Sequence, residues 1–527
     1  MYDFIIVGSG SSGSVLAARL SVDRALRVLV LEAGGSDRHP YVQIPAAFVR
    51  LGGPRFNWDF ETEPQSRLND RRMYMPQGRL LGGSSSINAM VYIRGNRSDY
   101  DGWAQRGNAG WSYSDVLPYF RRAEHNERLD DEFHGREGPL NVRDPIAPNP
   151  LTLRFVEAAV EAGLPRNPDF NGASQEGAGV YQVTQKAGRR MSASRAYLWP
   201  AMRRRNLTVV TGALVVRVVV EKGRATGVEY IADGKTVVAT ATREVVIAAG
   251  AINSPKLLLL SGIGPADELR ALGVKVVADL PGVGRNLQDH LDINIVARVS
   301  EPVSYNGMDR GLPALLSGMR YYLRGDGPAT SNVAEGGGFT RSDPRIEAPD
   351  IQFHFLPAMV IEHGHVRAPG HGITLHTNCL RPESHGRVRL VSADPREKPA
   401  VDPNYLSAEA DLGVLLAALK RGRDILNAPS LASVIETELY PGPKARSDAD
   451  LIDFIRRAAE TDYHPVGTCR MGVGADAVVD PSLRVRGVEN LRVCDSSIMP
   501  ALVSGNTNAA SIMIGEKGAD LIAGKAA

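Results

Sequence analysis

The chain has 527 residues, 43% of them hydrophobic and 23% charged, with a formal net charge of +2. That length exceeds one hydrophobic core, so two domains are expected. The near-neutral charge argues against a nucleic-acid partner, and three far-separated cysteines (Cys379, Cys469, Cys494) exclude a disulfide framework or a thiolate zinc site.

The first element is an apolar run, Phe4 to Val7, that reads as a buried strand. Gly8, Gly10 and Gly13 follow in G-x-G-x-x-G spacing, and a helix is expected from Ser14 to Leu20. In that spacing the first glycine makes the tight turn. The second admits a pyrophosphate, and the third lets the helix pack on the strand. The helix N-terminus offers N–H groups and a positive dipole end to phosphates. A second strand, Arg27 to Leu31, leads to Glu32, 19 residues beyond Gly13, where an acidic side chain suits two ribose hydroxyls. This start lies too close to Met1 for a signal peptide, and no apolar run approaches the roughly 20 residues that span a bilayer. The expected location is cytoplasmic, with membrane contact at most peripheral.

Gly78 to Asn88 comes next, rich in glycine and serine, and offers donors without bulk to a large planar or anionic ligand. The apolar Met90–Ile93 directly after it argues against a linker. Helices are expected at 111–123 and 151–163. Val209 to Val220 reads as extended, with Ala225 to Ile231 as its hairpin partner across Gly223. Glu244 to Ala251 is another buried strand, and a helix is expected to start at Ser254-Pro255. From about 295 to 460 the character changes. Strands at 351–356, 372–380 and 386–391 mix with a helix at 407–426, and 311–324 carries an apolar stripe at helical spacing. That stripe suits core packing, a lid or a surface-contact helix. Leu491 to Asp495 is a short strand, and Ser511 to Ile522 a closing helix. His354, His363, His365, His371, His376 and His385 lie among charges and glycines. No helical His-x-x-x-His pair with a carboxylate accompanies them, so no metal site is expected.

The N-terminal fingerprint, Gly82-Gly83-Ser84-Ser85, Gly250 to Pro255 with Ser261 to Gly264, and the C-terminal His464 and Asn508 occur in one order. Together they resemble the glucose–methanol–choline family of FAD-dependent oxidoreductases over essentially the whole chain. Ser86 to Gly95, Phe353 to Pro357 and Tyr463 to Cys469 are most similar to its bacterial alkanol and choline dehydrogenases. The resemblance implies an α/β fold: a Rossmann-like FAD-binding domain interleaved with a substrate domain on an antiparallel sheet. The division expected is FAD-binding at 1–150, 191–295 and 463–527, and substrate-binding at 151–190 and 296–462.

The same resemblance implies site roles. Gly8, Gly10, Gly13 and Glu32 match ADP-binding positions, with Ser11, Ser12 and Ala33 beside them. Gly83, Asn88, Met90 and Val91 match positions near the flavin ring and ribityl chain, and the Val215 backbone the adenine site. Asp495, Asn506 and Thr507 match the pyrophosphate–ribityl and flavin side. Some members bind FAD covalently through a histidine at the position of Ile87, so here FAD is expected to be non-covalent. His464 matches the family's base, and Asn508 its partner on the substrate oxygen. A neutral histidine suits proton removal near working pH, while flavin takes the hydride. Tyr463, His354, His376 and Glu335 are candidate substrate contacts. Glu335 aligns with a glutamate of choline-oxidising relatives and occurs in alkanol-type ones too, so it does not decide for choline.

The expected activity is oxidation of a primary alcohol to the aldehyde, with a quinone or other non-NAD acceptor. An oxidase using O₂, a choline dehydrogenase, a flavin-containing lyase and a non-catalytic flavin binder are the alternatives. No G-x-S-x-G elbow signals a hydrolase.

Overall fold

The computed structural model describes residues 1–364 and 366–524. Two large sheets organise it. The first is built on a parallel core in which strand Tyr2–Val7 lies between Val28–Glu32 and the end of Lys235–Ile247. Leu207–Thr211 extends it on one side, and Leu491–Val493 on the other. Phe4–Val7, Val28–Leu31 and Val245–Ile247 are buried on both faces, as their unbroken apolar runs require, whereas the edge strand Leu207–Thr211 is partly exposed. Lys235–Ile247 serves two purposes. Its second half completes the parallel core, and its first half pairs antiparallel with Arg224–Ala232, which pairs in turn with Leu214–Glu221.

Helix Ser11–Leu20 packs across this sheet, and the last helix, Asn508–Ala523, packs on it. Ser12 Oγ donates to the Ser511 carbonyl at 2.7 Å, and the buried Glu516 accepts from Arg19, Arg122 and Tyr197. The two ends of the chain therefore meet in one core.

The second sheet is antiparallel, in the order Ile435–Tyr440, Leu291–Val299, His371–Cys379, Ile351–Leu356, Gly336–Thr340 and Gly177–Val180. Helices Pro150–Glu161, Glu409–Leu426 and Asp448–Ala458 cover one face. The period of two sorts the side chains. Phe353 and Phe355 turn into the helix layer, where Phe355 stacks on Phe155 with ring centroids 4.7 Å apart. Gln352, His354 and Leu356 turn the other way, and His354 lies directly across from His376 on the next strand.

Four expectations shift. The boundary at 295/296 falls inside strand Leu291–Val299. Val209 to Val220 breaks at Gly212–Ala213, because its first part joins the parallel core and its second the hairpin. Gly386–Arg389 joins a separate three-stranded sheet with Arg285–Leu287 and Ala400–Asp402. The helix expected from Ser254 begins at Gly250, so Pro255 lies inside it. Proline cannot bond the carbonyl four residues back. Here the Ala251 carbonyl accepts from the Thr468 hydroxyl instead, at 2.5 Å. His365 and the side chain of His363 lie outside the described part.

Candidate active site

One cavity of about 480 Å³ runs from the glycine loop at the first sheet to the polar face of the second. At its first end Gly8 has φ +97, and a Cβ there would collide with the Ala248 carbonyl. A Cβ on Gly13 would strike the Gly8 carbonyl. Gly10 differs. It lines the cavity, and nothing in the protein lies closer than 4.0 Å to the place its Cβ would fill. Gly10 also caps helix Ser11–Leu20 without a side-chain acceptor, and no acidic residue follows in the first turn. Open N–H groups and the helix dipole thus face the cavity beside Ser11 and Ser12.

Glu32 is buried there with Ala33 and Val215 on the wall. Its carboxylate accepts from the Ser9 amide at 3.0 Å, the Ser9 hydroxyl at 2.7 Å and the Gly34 amide at 2.8 Å. Burial raises its pKa, and those bonds oppose the rise. Asp495 accepts from the Gly250 amide and the Ser254 hydroxyl, at 2.9 and 2.5 Å. The room beside Gly10, the open amides and the buried Glu32 fit an adenine dinucleotide.

Midway lie Gly83, Ile87, Asn88, Met90 and Val91. A residue that sequence reasoning missed holds this loop. Arg190 is fully buried and donates to the Ser85 and Asn88 carbonyls and to Asn88 Oδ1. Burial lowers its pKa to about 9. The Gly-Gly-Ser-Ser stretch is therefore pinned by a guanidinium.

At the far end His464, Asn506, His354, His376, Asp462 and Tyr463 line the cavity. Met90, Val333 and Tyr463 have φ of 59, 66 and 66, a concentration of left-handed, non-glycine backbone around one cavity. Asp289 accepts from the His464 backbone N–H at 2.7 Å and from Tyr405 and Thr461, each at 2.5 Å. Burial pushes Asp289 up to about 6 against these bonds.

The ring of His464 has a definable tautomer. His290 Nε2 lies 3.0 Å from the Leu380 carbonyl, which can only accept, so that nitrogen carries a proton. Burial lowers the His290 pKa to about 3, which keeps the ring neutral and makes its Nδ1 an acceptor. Its neighbour at 3.0 Å is His464 Nδ1, which must then carry a proton. Burial, His290 and His354 hold His464 well below its usual pKa. His464 Nε2 is left as a lone pair, and the amide of Asn506 donates to it at 3.2 Å. Gln352 Nε2 donates to Asn506 Oδ1, also at 3.2 Å, and fixes the amide's orientation. His290, Asp462 and His464 bring potential metal ligands within 4.8 Å of one another, but the Nδ1–Nδ1 hydrogen bond already accounts for both imidazoles.

Two expected roles change. Asn508 is not the neighbour of His464. It begins the last helix and accepts from Ser11 Oγ at 2.7 Å, on the dinucleotide side, while Asn506 holds the position at the base. Glu335 does not line the cavity. It is fully buried and accepts from the Asn149 amide, Thr152, Tyr305 and Ser331 at 2.6 to 2.8 Å. Sequence reasoning also missed Asp289, His290 and Asp462. The polar run Asn286 to His290 just before an apolar strand was the available signal.

Comparison with known proteins agrees over the full length. The GMC oxidoreductase family models match residues 2–292 and 382–515. The chain is 48% identical to an alcohol dehydrogenase (acceptor) of Pseudomonas putida, across 100% of this chain and 96% of that protein. It is 46% identical to the mitochondrial choline dehydrogenase of Homo sapiens, across 100% and 90%. The solved structure of pyridoxine 4-oxidase from Mesorbium loti superposes with a TM-score of 0.91 at 35% identity, covering 100% of both chains. No helix among the described residues is long and apolar enough to cross a membrane. With both segments matched around one cavity that joins a dinucleotide loop to a neutral histidine, the chain belongs to the GMC oxidoreductase family.

Proposed function

We propose that this protein is an FAD-dependent dehydrogenase that oxidises neutral primary alcohols to aldehydes and passes the electrons to a quinone or another non-NAD acceptor. One observation carries the reading: a neutral His464, its Nε2 lone pair accepting from Asn506, stands at the end of the cavity that begins at the glycine loop. Bound FAD supplies the hydride acceptor. His464 Nε2 takes the hydroxyl proton, and the Asn506 amide steadies the oxygen as charge develops on it. His290 and the Leu380 carbonyl keep the proton on the other ring nitrogen, and Asp289 holds the backbone. Glu32, the open amides after Gly10 and the Arg190-pinned loop would hold the cofactor. Ile87 offers it only hydrocarbon, so attachment is non-covalent.

A neutral substrate is favoured over choline. The buried Asp292 is closely paired with His376. Burial alone would lower the His376 pKa, but the charge of and hydrogen bond to Asp292 raise it. Burial, with Asp292 and Asp289 nearby, holds Asp462 well above its usual pKa. Glu335 faces away. Among the described residues, the reacting end thus offers no free carboxylate to an ammonium head, and Val333, Ala334, Leu356 and Val360 present hydrocarbon. Its alternative is the O₂-using oxidase, which the likeness to pyridoxine 4-oxidase favours.

Anaerobic mixing of the purified holoprotein with aliphatic alcohols and with choline tests the reading. Bleaching of the flavin by the aliphatic alcohols supports it, and bleaching by choline alone would overturn the substrate class. Slow recovery in air, relieved by a quinone analogue, marks a dehydrogenase, and fast recovery an oxidase.

A further inference from the structure

Helix Gly311–Arg324 is amphipathic in the wrong sense for a monomer in water. Its buried residues are Ser317 and Tyr321. On the opposite side Leu312, Leu315, Leu316, Met319, Tyr322 and Leu323 form one stripe at helical spacing, each 50% to 79% exposed. Contiguous apolar surface of this kind marks an interaction site.

The cavity wall lies close to the helix: the turn Pro45–Arg50 packs on Pro328–Thr330, which packs on the helix. Phe48, Val49 and Leu51 line the cavity, and Val49 is 61% exposed. Arg50, at the end of the short turn Pro45–Arg50, donates to the Asp309 carbonyl two residues before the helix, tying the mouth to the stripe. The rim is basic. The helix has no acidic residue, and Arg310, Arg324, Arg50 and Arg189 surround it. The nearby acids are already paired, Asp309 with Arg367 and Asp326 with Arg320.

We propose that this face docks on an anionic lipid bilayer, with the cavity mouth at Phe48 and Val49 turned toward the membrane. The stripe would lie in the interface, and the arginines would meet lipid phosphates. A second copy fits less well, since a two-fold contact through this face would oppose two arginine rims. Docking does not depend on the reaction. Only the corollary, that a lipid-dissolved reactant enters through the mouth, rests on the dehydrogenase reading.

Co-sedimentation of the full-length holoprotein with phosphatidylglycerol-containing vesicles, and with pure phosphatidylcholine vesicles, tests this. Wild type should pellet with the anionic vesicles and much less with the neutral ones. The Leu316→Asp/Leu323→Asp pair should bind at least 10-fold more weakly, and the Arg310→Glu/Arg324→Glu pair should lose the preference for anionic lipid. These side chains lie outside the cavity, so turnover in solution with a soluble dye acceptor should stay at the wild-type level. That assay reads the dehydrogenase function separately. Wild type remaining in the supernatant with both vesicles would overturn the proposal, as would variants that pellet like wild type. So would a dimer in light scattering that the Leu316→Asp/Leu323→Asp pair converts to monomer while wild type ignores lipid.

Discussion

Asn506 and Asn508 differ by one intervening residue, yet they make separate contacts, and paired substitutions test the separate tasks proposed for them. Asn506 donates to His464 Nε2 at 3.2 Å, and the same N–H can turn to the substrate oxygen as it loses its proton. A hydrogen bond to a charged partner contributes about 1.5–3 kcal/mol. At about 1.4 kcal/mol per tenfold in rate, Asn506→Ala should slow flavin reduction about 10- to 150-fold. Gln352 then loses one acceptor but keeps the Tyr181 hydroxyl at 3.3 Å, which does not alter the count of bonds to the reacting oxygen. Asn508→Ala removes the acceptor of Ser11 Oγ beside the glycine loop. A neutral bond of that kind is worth about 1 kcal/mol, or about fivefold in FAD affinity. The assay is stopped-flow reduction of the flavin under anaerobic conditions, with FAD content measured on the same samples. The expected pattern is slow reduction with full FAD for Asn506→Ala, and near-normal reduction with looser FAD for Asn508→Ala. Reduction slowed as much by Asn508→Ala as by Asn506→Ala would refute the division of labour.

His464→Ala should keep bound FAD and lose about 10²- to 10⁴-fold in turnover, the usual contribution of a general base; near-wild-type turnover would end that assignment. Burial holds His464 well below its usual pKa, so the neutral, proton-accepting form persists as pH falls. The kcat/KM profile should therefore stay level from pH 9 down to about 6, and a fall centred near about 7 would contradict it. Glu335→Ala leaves four donors without their acceptor and should cost about 3 kcal/mol of stability. Its thermal midpoint should drop by a few degrees while KM for a neutral alcohol stays within about twofold of wild type; a large KM change would return Glu335 to the substrate. Burial alone would lower the pKa of His134, but its bonds to Asp169 and Glu124 raise it to about 9. A raised histidine stabilises fully below its unfolded pKa of about 6.5 and loses that effect as pH rises through about 9. The midpoint gap between wild type and His134→Ala should shrink from pH 6 to pH 10, and a constant gap would argue against it.

The dinucleotide end was legible because its logic is local: three glycines, one helix start and one acid follow each other along the chain. The candidate base was legible through its motif, Tyr463-His464-Pro465-Val466-Gly467-Thr468. What surrounds that base was not. His290 comes from the segment before strand Leu291–Val299, and the pairing of Glu460–Thr461 with that strand, together with the Gln288–Val466 bridge, brings it to His464. The choice between Asn506 and Asn508 depends on where the last helix begins, and spacing along the chain does not fix that. Glu335 was a candidate because it aligns with a glutamate of choline-oxidising relatives, and its burial was not legible because partners at 149, 152 and 305 are distant in sequence. The stripe at 311–324 was visible as a pattern, but periodicity does not say which side faces out.

The docking of the last helix on the first has a consequence for how the protein is made. Ser11 and Ser12, at the phosphate end of the cavity, take their partners from residues 508 and 511, and strand Leu491–Val493 closes the parallel sheet. A ribosome releases these segments after all the other strands of both sheets. The glycine loop, which emerges long before them, must wait with an unfinished core until they appear. Flavin capture is thus tied to the emergence of residues 491–523, and a nascent chain stalled before residue 491 should stay colourless.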